Sequence, residues 1–278
     1  MWIFTALSDG FSVSVHDWRL QFFRIVIGAA VLSKTLISIC CGDWNRLVEG
    51  SFGRFAMAER HGARRACLVA QTHKYALVLR CVLSIFLLMG VMPSACCLGL
   101  ALLLYLELIW EYRFNTVYLM LCLVATASGQ HLSGWAPVGS TNSNTFSQFI
   151  LVLLSIDLYW NSAWCKLRSE QFTSGLLLRQ VFVGAQTLRG RMPRWEYWHP
   201  RVIARLASKD SLSGGWKSIS YGAIALEVSI PVGLAFKPTW LAALIVGVLM
   251  HACFLMLLPL RLFPFQIAAL GSYWLYMK

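Results

Sequence analysis

The sequence is 278 residues long, 58% hydrophobic and only 13% charged, with a mean hydropathy of +0.62. Soluble domains carry about 25% charged residues, so this composition excludes an ordinary soluble domain. A net charge of +12 can indicate a nucleic-acid partner, an anionic membrane surface, or Lys and Arg retained in cytoplasmic loops. The apolar composition favours the last explanation, so no nucleic-acid partner is expected.

Apolar runs, taken in chain order, predict about eight membrane-spanning helices, because a span needs about 20 mainly apolar residues. The third and fourth runs are short, so the expected count lies between seven and nine. We therefore expect an all-α fold, a polytopic transmembrane helical bundle in which residues 1–278 form a single integral membrane domain. The predicted spans are 20–41, 75–91, 95–110, 115–129, 147–165, 216–236, 239–260 and 263–277.

Two basic segments, 42–74 and 166–217, separate these spans. In an eight-span chain both lie on the same side, and the positive-inside rule makes that side cytoplasmic. The opposite connection, 130–146, has no charged residue and is rich in Gly, Ser and Asn, which predicts a loop. The lipid bilayer is thus the first expected partner.

Several ionisable side chains fall inside the predicted spans. Each costs at least about 2.5–3.5 kcal/mol at the centre of a bilayer unless it finds a partner or a water-filled cavity. So many of them predict an internal polar site, although some can extend to the interface instead. They are Arg24, Lys34, Arg80, Glu107, Glu111, Asp157, Glu227 and His251.

The fifth span has two polar faces at 100° per residue. One face carries Ser155, Tyr159, Ser162 and Lys166, and the other carries Asp157, Asn161, Trp164 and Arg168. Asp157 and Lys166 therefore cannot pair along the helix, and we predict that they serve separate polar clusters. Lys166 is either a proton-accepting amine or an interfacial lysine that reaches lipid phosphate. Asp157 either binds a ligand or makes a packing hydrogen bond.

The later spans hold two further candidates. Pro231 cannot donate a hydrogen bond to the backbone carbonyl of Glu227, so a free carbonyl lies next to the Glu227 carboxylate. This pair of groups either binds a proton, a cation or a ligand hydroxyl, or is a helix kink in which Ser229 and water satisfy the carbonyl. His251 lies in the middle of the seventh span, where it is either a packing residue or a ligand contact. His131, in the uncharged loop, either faces a cavity mouth or is solvated.

The nine cysteines show no zinc-binding spacing, so no metal site is predicted. They are interpreted as small packing side chains, with a redox role as the alternative for the adjacent pairs Cys40–Cys41 and Cys96–Cys97 or for Cys165. Soluble-enzyme motifs such as G-x-S-x-G and the P-loop are missing from the sequence. Any catalysis must use dispersed groups.

Four stretches in order resemble the horizontally transferred transmembrane family, whose best-known members are the vitamin K-dependent gamma-carboxylases. They are DWRLQFFRIVIGAAVL at 17–32, YWNSAWCKLRSEQFTSG at 159–175, ALEVSIP at 225–231 and LMHACFLMLLPLRLFPF at 249–265. Within the second stretch, Ala163 and Phe172 stand where the family has Gly and Trp.

The resemblance implies roles for individual residues. Lys166 matches the lysine that deprotonates reduced vitamin K, and as a base its amine must be neutral and shielded from water. His131 resembles the histidine that closes the fourth span, and Asn115 stands about where the carboxylases have a functional histidine. Glu227 and His251 match polar positions of the later spans.

The size of the chain is similar to that of short bacterial members of this family. Some of those members serve the export or maturation of a secreted peptide toxin of the sporulation-delaying type. The resemblance thus implies an enzyme or maturation factor of the bacterial cytoplasmic membrane, with a lysine base and quinone-dependent carboxylase- or oxidase-like chemistry. A quinone or reduced vitamin K is the candidate cofactor, and a quinone-like or lipid ligand suits an apolar bundle with a few convergent polar groups.

The expected partners are a secreted peptide or another membrane or export protein. The alternative function is a non-catalytic membrane carrier, or a partner protein of an export complex. The expected catalytic residues are Lys166, His131 and Asn115, and the expected ligand-binding residues are Asp157, Tyr159, Asn161, Glu227 and His251.

Overall fold

The all-α prediction is confirmed. The computed structural model describes residues 15–40, 52–129, 132–134, 142–143, 146–188, 205, 213–257 and 260–276. Within these ranges the only strands are the two-residue β1, Val15–His16, and β2, Asn142–Ser143, which pair antiparallel. All other regular structure is helical.

The helices follow one another with short connections wherever the chain is described. They are α1 Asp17–Cys40, α2 Phe52–His61, α3 Ala63–Met89, α4 Pro93–Trp110, α5 Phe114–Ala127, α6 Phe146–Arg168, α7 Glu170–Thr173, α8 Leu176–Leu188, α9 Ser213–Ala235, α10 Trp240–Leu257 and α11 Phe263–Ser272. Two 3-10 turns, Leu260–Leu262 and Tyr273–Tyr276, flank α11.

Three helices in the described part of the chain are long and apolar enough to cross a membrane: Trp18–Cys40, Ala63–Met89 and Gly214–Ala235. Three shorter apolar helices accompany them, Pro93–Ile109, Phe114–Ala127 and Trp240–Met256. These lengths favour a membrane protein. They do not establish eight spans, so that count stays a prediction.

Helix α3 begins earlier than the sequence pattern suggested. It starts at Ala63, inside the predicted basic loop 42–74, and its first turn carries the exposed residues Arg64 and Arg65. Arginine is a good helix former, and no Pro interrupts the segment before Gly90, so charge alone does not end the helix. Gly90 then ends it in the left-handed conformation (φ +74°), with its N–H bonded to the carbonyl of Leu87.

The chain divides into two compact units, each described here by itself. The first is Met1–Leu151 with Phe263–Gly271, and the second is Val152–Leu262 with Ser272–Lys278. In the first unit α1 packs against α3, and α4 packs against α3 and α5; in the second unit α9 packs against α8 and α10. The single integral membrane domain expected from the sequence stays a prediction.

Arg24 ties α1 to the turn after α3 within the first unit. Its side chain is fully buried, and its Nη2 donates to the carbonyl oxygen of Gly134 at 2.9 Å. The N–H of Gly134 in turn donates to the carbonyl of Gly90 at 3.3 Å. A Cβ at position 90 would overlap the guanidinium and the backbone of Gly134, so this turn requires glycine.

Candidate functional site

The polar face of α6 forms the centre of a buried cluster in the second unit. The prediction that Ser155, Tyr159, Ser162 and Lys166 share one face is confirmed, because all four contact polar groups on α9, on α10 or at the end of the chain. One helical face thus aligns four polar groups along three turns. We call this set, together with its partners, the α6 cluster; the partners are Glu227, His251, Ser272 and Tyr273.

An ion pair lies at the C-terminal end of α6, at one end of the α6 cluster. The Lys166 ammonium donates to Oε1 of Glu227, and the Ser162 hydroxyl donates to the same oxygen at 3.2 Å. The Glu227 side chain is 4% exposed, whereas that of Lys166 is 23% exposed. The carboxylate is therefore held deep between helices, and the amine has one open side.

Two aromatic rings surround the amine. The Nζ of Lys166 lies 5.5 Å from the ring centroid of Phe172 and 5.5 Å from that of Phe254. Phe172 belongs to a small core with Ala163 and Ile224. Both ring faces attract the positive charge of the ammonium.

A phenol–imidazole–phenol chain continues the α6 cluster towards α10. The Tyr159 hydroxyl lies 2.6 Å from Nε2 of His251 and also hydrogen-bonds the hydroxyl of Tyr273. All three residues are buried. Beside them Ser272 donates to Ser155 at 2.9 Å. Each of these groups can both give and accept a proton, so the chain can conduct one.

Two buried polar atoms of the α6 cluster have no hydrogen-bond partner in the described part of the protein. They are Oε2 of Glu227 and Nδ1 of His251. Buried polar atoms are nearly always paired in native proteins. These two atoms are therefore candidates for contact with a bound molecule.

The prediction that Asp157 and Lys166 do not pair is also confirmed, because Lys166 binds Glu227. The separate polar cluster expected around Asp157 is not found among the described residues, where its side chain is exposed and makes no hydrogen bond. Asn161 is exposed as well, and its Oδ1 lies 3.6 Å from the Sγ of Cys165. Both residues face away from the α6 cluster, so the structure does not bring these two expected ligand-binding residues to it.

The other two expected catalytic residues are not in the α6 cluster as described. Asn115 belongs to the first unit, at the start of α5, where its Oδ1 accepts from the N–H of Thr116 at 3.0 Å. The same N–H also donates to the carbonyl of Arg113 at 3.0 Å, so Asn115 makes a local contact in the first turn of α5. His131 lies outside the described residues.

Sequence reasoning missed Tyr273 and Ser272. Both lie in the last apolar segment, in GSYWLYMK, whose polar atoms could have been noticed as hydroxyls inside a predicted span. Nothing local in the sequence indicates that they meet α6, which is more than 100 residues earlier, since the Ser272–Ser155 separation is 117 residues.

No group of three or more His, Cys, Asp or Glu side chains suited to a metal ion occurs among the described residues. The described cysteines are free thiols, with Cys96 and Cys97 buried. The α6 cluster is therefore an acid–base arrangement of an amine, a carboxylate, an imidazole and two phenols.

Neither a family model, nor a curated protein, nor a solved structure matches this chain.

Proposed function

We propose that this chain is an integral membrane protein of the horizontally transferred transmembrane family, with about eight spans in the bacterial cytoplasmic membrane. Its α6 cluster acts as an acid–base site that removes a proton from a hydroxyl of a quinone-like or lipid ligand. The observation that carries this proposal is the pairing of Lys166 with the buried carboxylate of Glu227, beside the chain of Tyr159, His251 and Tyr273.

The Lys166–Glu227 pair suits proton exchange because both groups compete for one proton. In a nonpolar environment the ionic form loses much of its advantage, since the hydration of both charges is lost. When the proton lies on Glu227, the amine of Lys166 is neutral and can accept another from a ligand hydroxyl. The Ser162 hydroxyl holds the carboxylate in place for this exchange.

The α6 cluster also has a donor set that fits a quinone or a reduced vitamin K. Glu227 Oε2 and His251 Nδ1 can hydrogen-bond its ring oxygens, and Phe172 and Phe254 supply apolar contact. When bound, a reduced quinone supplies the weakly acidic hydroxyl. The chain's own part is to bind that hydroxyl, keep water away and take its proton at Lys166.

A naphthol probe tests the site directly, because its absorbance changes when its hydroxyl ionises. In detergent with the native protein we expect the bound probe to ionise about one pH unit lower than in protein-free micelles, as a neighbouring ammonium favours the anion. Lys166→Met removes this difference. The matched control is Lys217→Met, which removes an exposed lysine of the same unit and leaves the probe unaffected. Equal titration of the probe in the native protein and in Lys166→Met contradicts the assignment.

The base role is tested separately by Lys166→Arg. A guanidinium preserves the positive charge beside Glu227 but stays protonated, so it cannot act as a base. We expect both Lys166→Arg and Lys166→Ala to abolish maturation of a co-expressed secreted peptide, followed by the mass of that peptide. Full maturation with both variants, at normal expression, refutes the base role.

Quinone transport in sealed vesicles, combined with the mass of the peptide, tests the carrier alternative. A carrier moves a quinone across the membrane of sealed vesicles without chemical change and leaves the peptide mass unaltered. Quinone flux through the native protein, together with a peptide whose mass the native protein leaves unchanged, replaces the enzymatic proposal by the carrier.

A further inference from the structure

Three apolar helices of the first unit meet at a charged cluster that the proposed acid–base chemistry does not use. Lys34 of α1 donates to Oε1 of Glu107 on α4 at 2.7 Å, and Nη1 of Arg80 on α3 donates to Oε2 of the same carboxylate. Arg80 Nε also donates to the hydroxyl of Thr35 at 2.7 Å. We call Lys34, Arg80 and Glu107 the basic triad.

The basic triad carries two positive charges against one negative charge. Its side chains are 8%, 4% and 12% exposed for Lys34, Arg80 and Glu107 respectively. The Nη2 atom of Arg80 is buried and has no hydrogen-bond partner in the described ranges. The guanidinium of Arg80 is thus buried with an unused donor, and one positive charge of the triad has no negative partner. A bound anion stabilises such an arrangement.

Of the other carboxylates of the first unit whose side chains the structure describes, Glu59 is exposed, and Glu111 pairs with Arg113. In contrast, Arg19 and Arg24 of α1 add two further buried cations, each with side-chain nitrogens that have no partner among the described residues. Buried cations of α1 are therefore not confined to the basic triad.

We infer that the basic triad binds a small anionic group, a phosphate or a carboxylate. Arg80 Nη2 and the two remaining N–H groups of Lys34 supply the donors, and Glu107 neutralises only one of the two positive charges. Glu107 lies in the last turn of α4, next to the turn that carries the Arg113–Glu111 pair. This inference concerns the first unit alone and does not depend on the proposed function.

Binding of inorganic phosphate to the purified full-length protein tests the inference. We expect radiolabelled phosphate to bind the native protein in phosphatidylcholine nanodiscs, and Arg80→Met to weaken binding about tenfold or more, the ordinary effect of losing a charge-assisted hydrogen bond. Arg65→Gln is the matched control, because it removes an exposed arginine of the same helix. It should bind like the native protein.

Glu107→Gln distinguishes an anion site from a structural ion pair, and it does not rely on a loss of function. It raises the charge of the basic triad by one, so we expect phosphate to bind about tenfold more tightly and to raise the unfolding temperature more than in the native protein. A purely structural pair predicts a destabilised variant that phosphate does not rescue. Equal phosphate binding by Arg80→Met and Arg65→Gln, or no gain with Glu107→Gln, overturns the inference.

A second experiment, in phosphatidylglycerol nanodiscs, identifies whether the bound anion is a lipid headgroup or a free anion. Arg80-dependent stabilisation by phosphatidylglycerol, with inorganic phosphate competing for it, assigns the site to a lipid headgroup. Binding of inorganic phosphate that phosphatidylglycerol does not reduce assigns it to a free anion. If neither probe produces an Arg80-dependent effect, the inference is wrong.

Discussion

Gly247 controls the packing of Tyr273, and its replacement by Ala is the sharpest test of the α6 cluster. Gly247 lies in α10 directly against the Tyr273 ring, so that an added Cβ would meet the Cε2 and hydroxyl oxygen of that ring at 2.5 Å. Tyr273 is fully buried and hydrogen-bonds Tyr159. Gly247→Ala therefore has to displace the ring or the helix.

The expected loss of stability follows from four opposing effects. The added methyl group gains about 0.8 kcal/mol by burial, and Ala is favoured over Gly in a helix by about 1 kcal/mol. Overpacking a close-packed core costs about 1–3 kcal/mol, and moving the Tyr273 hydroxyl out of its hydrogen bond costs about 1 kcal/mol. We expect Gly247→Ala to be about 1 kcal/mol less stable than the native protein.

Reversible unfolding in mixed detergent micelles, followed by the fluorescence of the 12 tryptophans, measures this difference. Gly222→Ala is the matched control, because it also lies inside a helix of the second unit and nothing lies within 4 Å of an added Cβ there. The control gains the helix preference without the overlap, so the two variants should differ by about 2 kcal/mol. Equal stability of the two variants refutes the packing of Tyr273 described above.

Three further predictions use the same unfolding measurement. Glu227→Gln leaves the ammonium of Lys166 without its carboxylate and should cost about 1–3 kcal/mol, less than a fully buried pair because the lysine side chain is 23% exposed; an unchanged midpoint speaks against the pair. Tyr159→Phe removes a hydroxyl with two buried partners and should cost about 1–3 kcal/mol, whereas Tyr221→Phe, an exposed control, should change stability by less than about 0.5 kcal/mol. Gly175→Ala should cost more than about 1 kcal/mol, because Gly175 has φ +80° and an added Cβ would enter the backbone of α9; native stability in that variant contradicts the turn.

The polar face of α6 was predictable from the sequence, whereas its partners were not. A helix repeats every 3.6 residues, so Ser155, Tyr159, Ser162 and Lys166 must align whatever surrounds them. Which carboxylate meets Lys166 depends on how α9 is placed against α6, across 61 residues of chain. Local periodicity carries no information about that placement.

Charge was a poor guide both to helix ends and to site membership. Helix α3 begins at Ala63, inside the segment that was predicted to be a basic loop, although Arg64 and Arg65 lie in its first turn. Arginine is a good helix former, so its charge does not prevent a helix. Asp157 was predicted to lie in a polar cluster because it is charged within an apolar run, yet its side chain is exposed. Composition identified the helical class because it sums over the whole chain, whereas the position of one charge depends on tertiary packing.

The buried cations of α1 affect how the helices are inserted into the membrane during synthesis. Arg24 bonds a carbonyl 110 residues further along, and Lys34 bonds a carboxylate 73 residues further along. During synthesis α1 therefore reaches the membrane well before either partner has left the ribosome. An unpaired cation inside a span opposes insertion, by about 2.5–3.5 kcal/mol when it lies at the bilayer centre. We therefore expect α1 to stay at the insertion machinery until α4 has been synthesised. The basic triad then assembles as these helices enter the bilayer together.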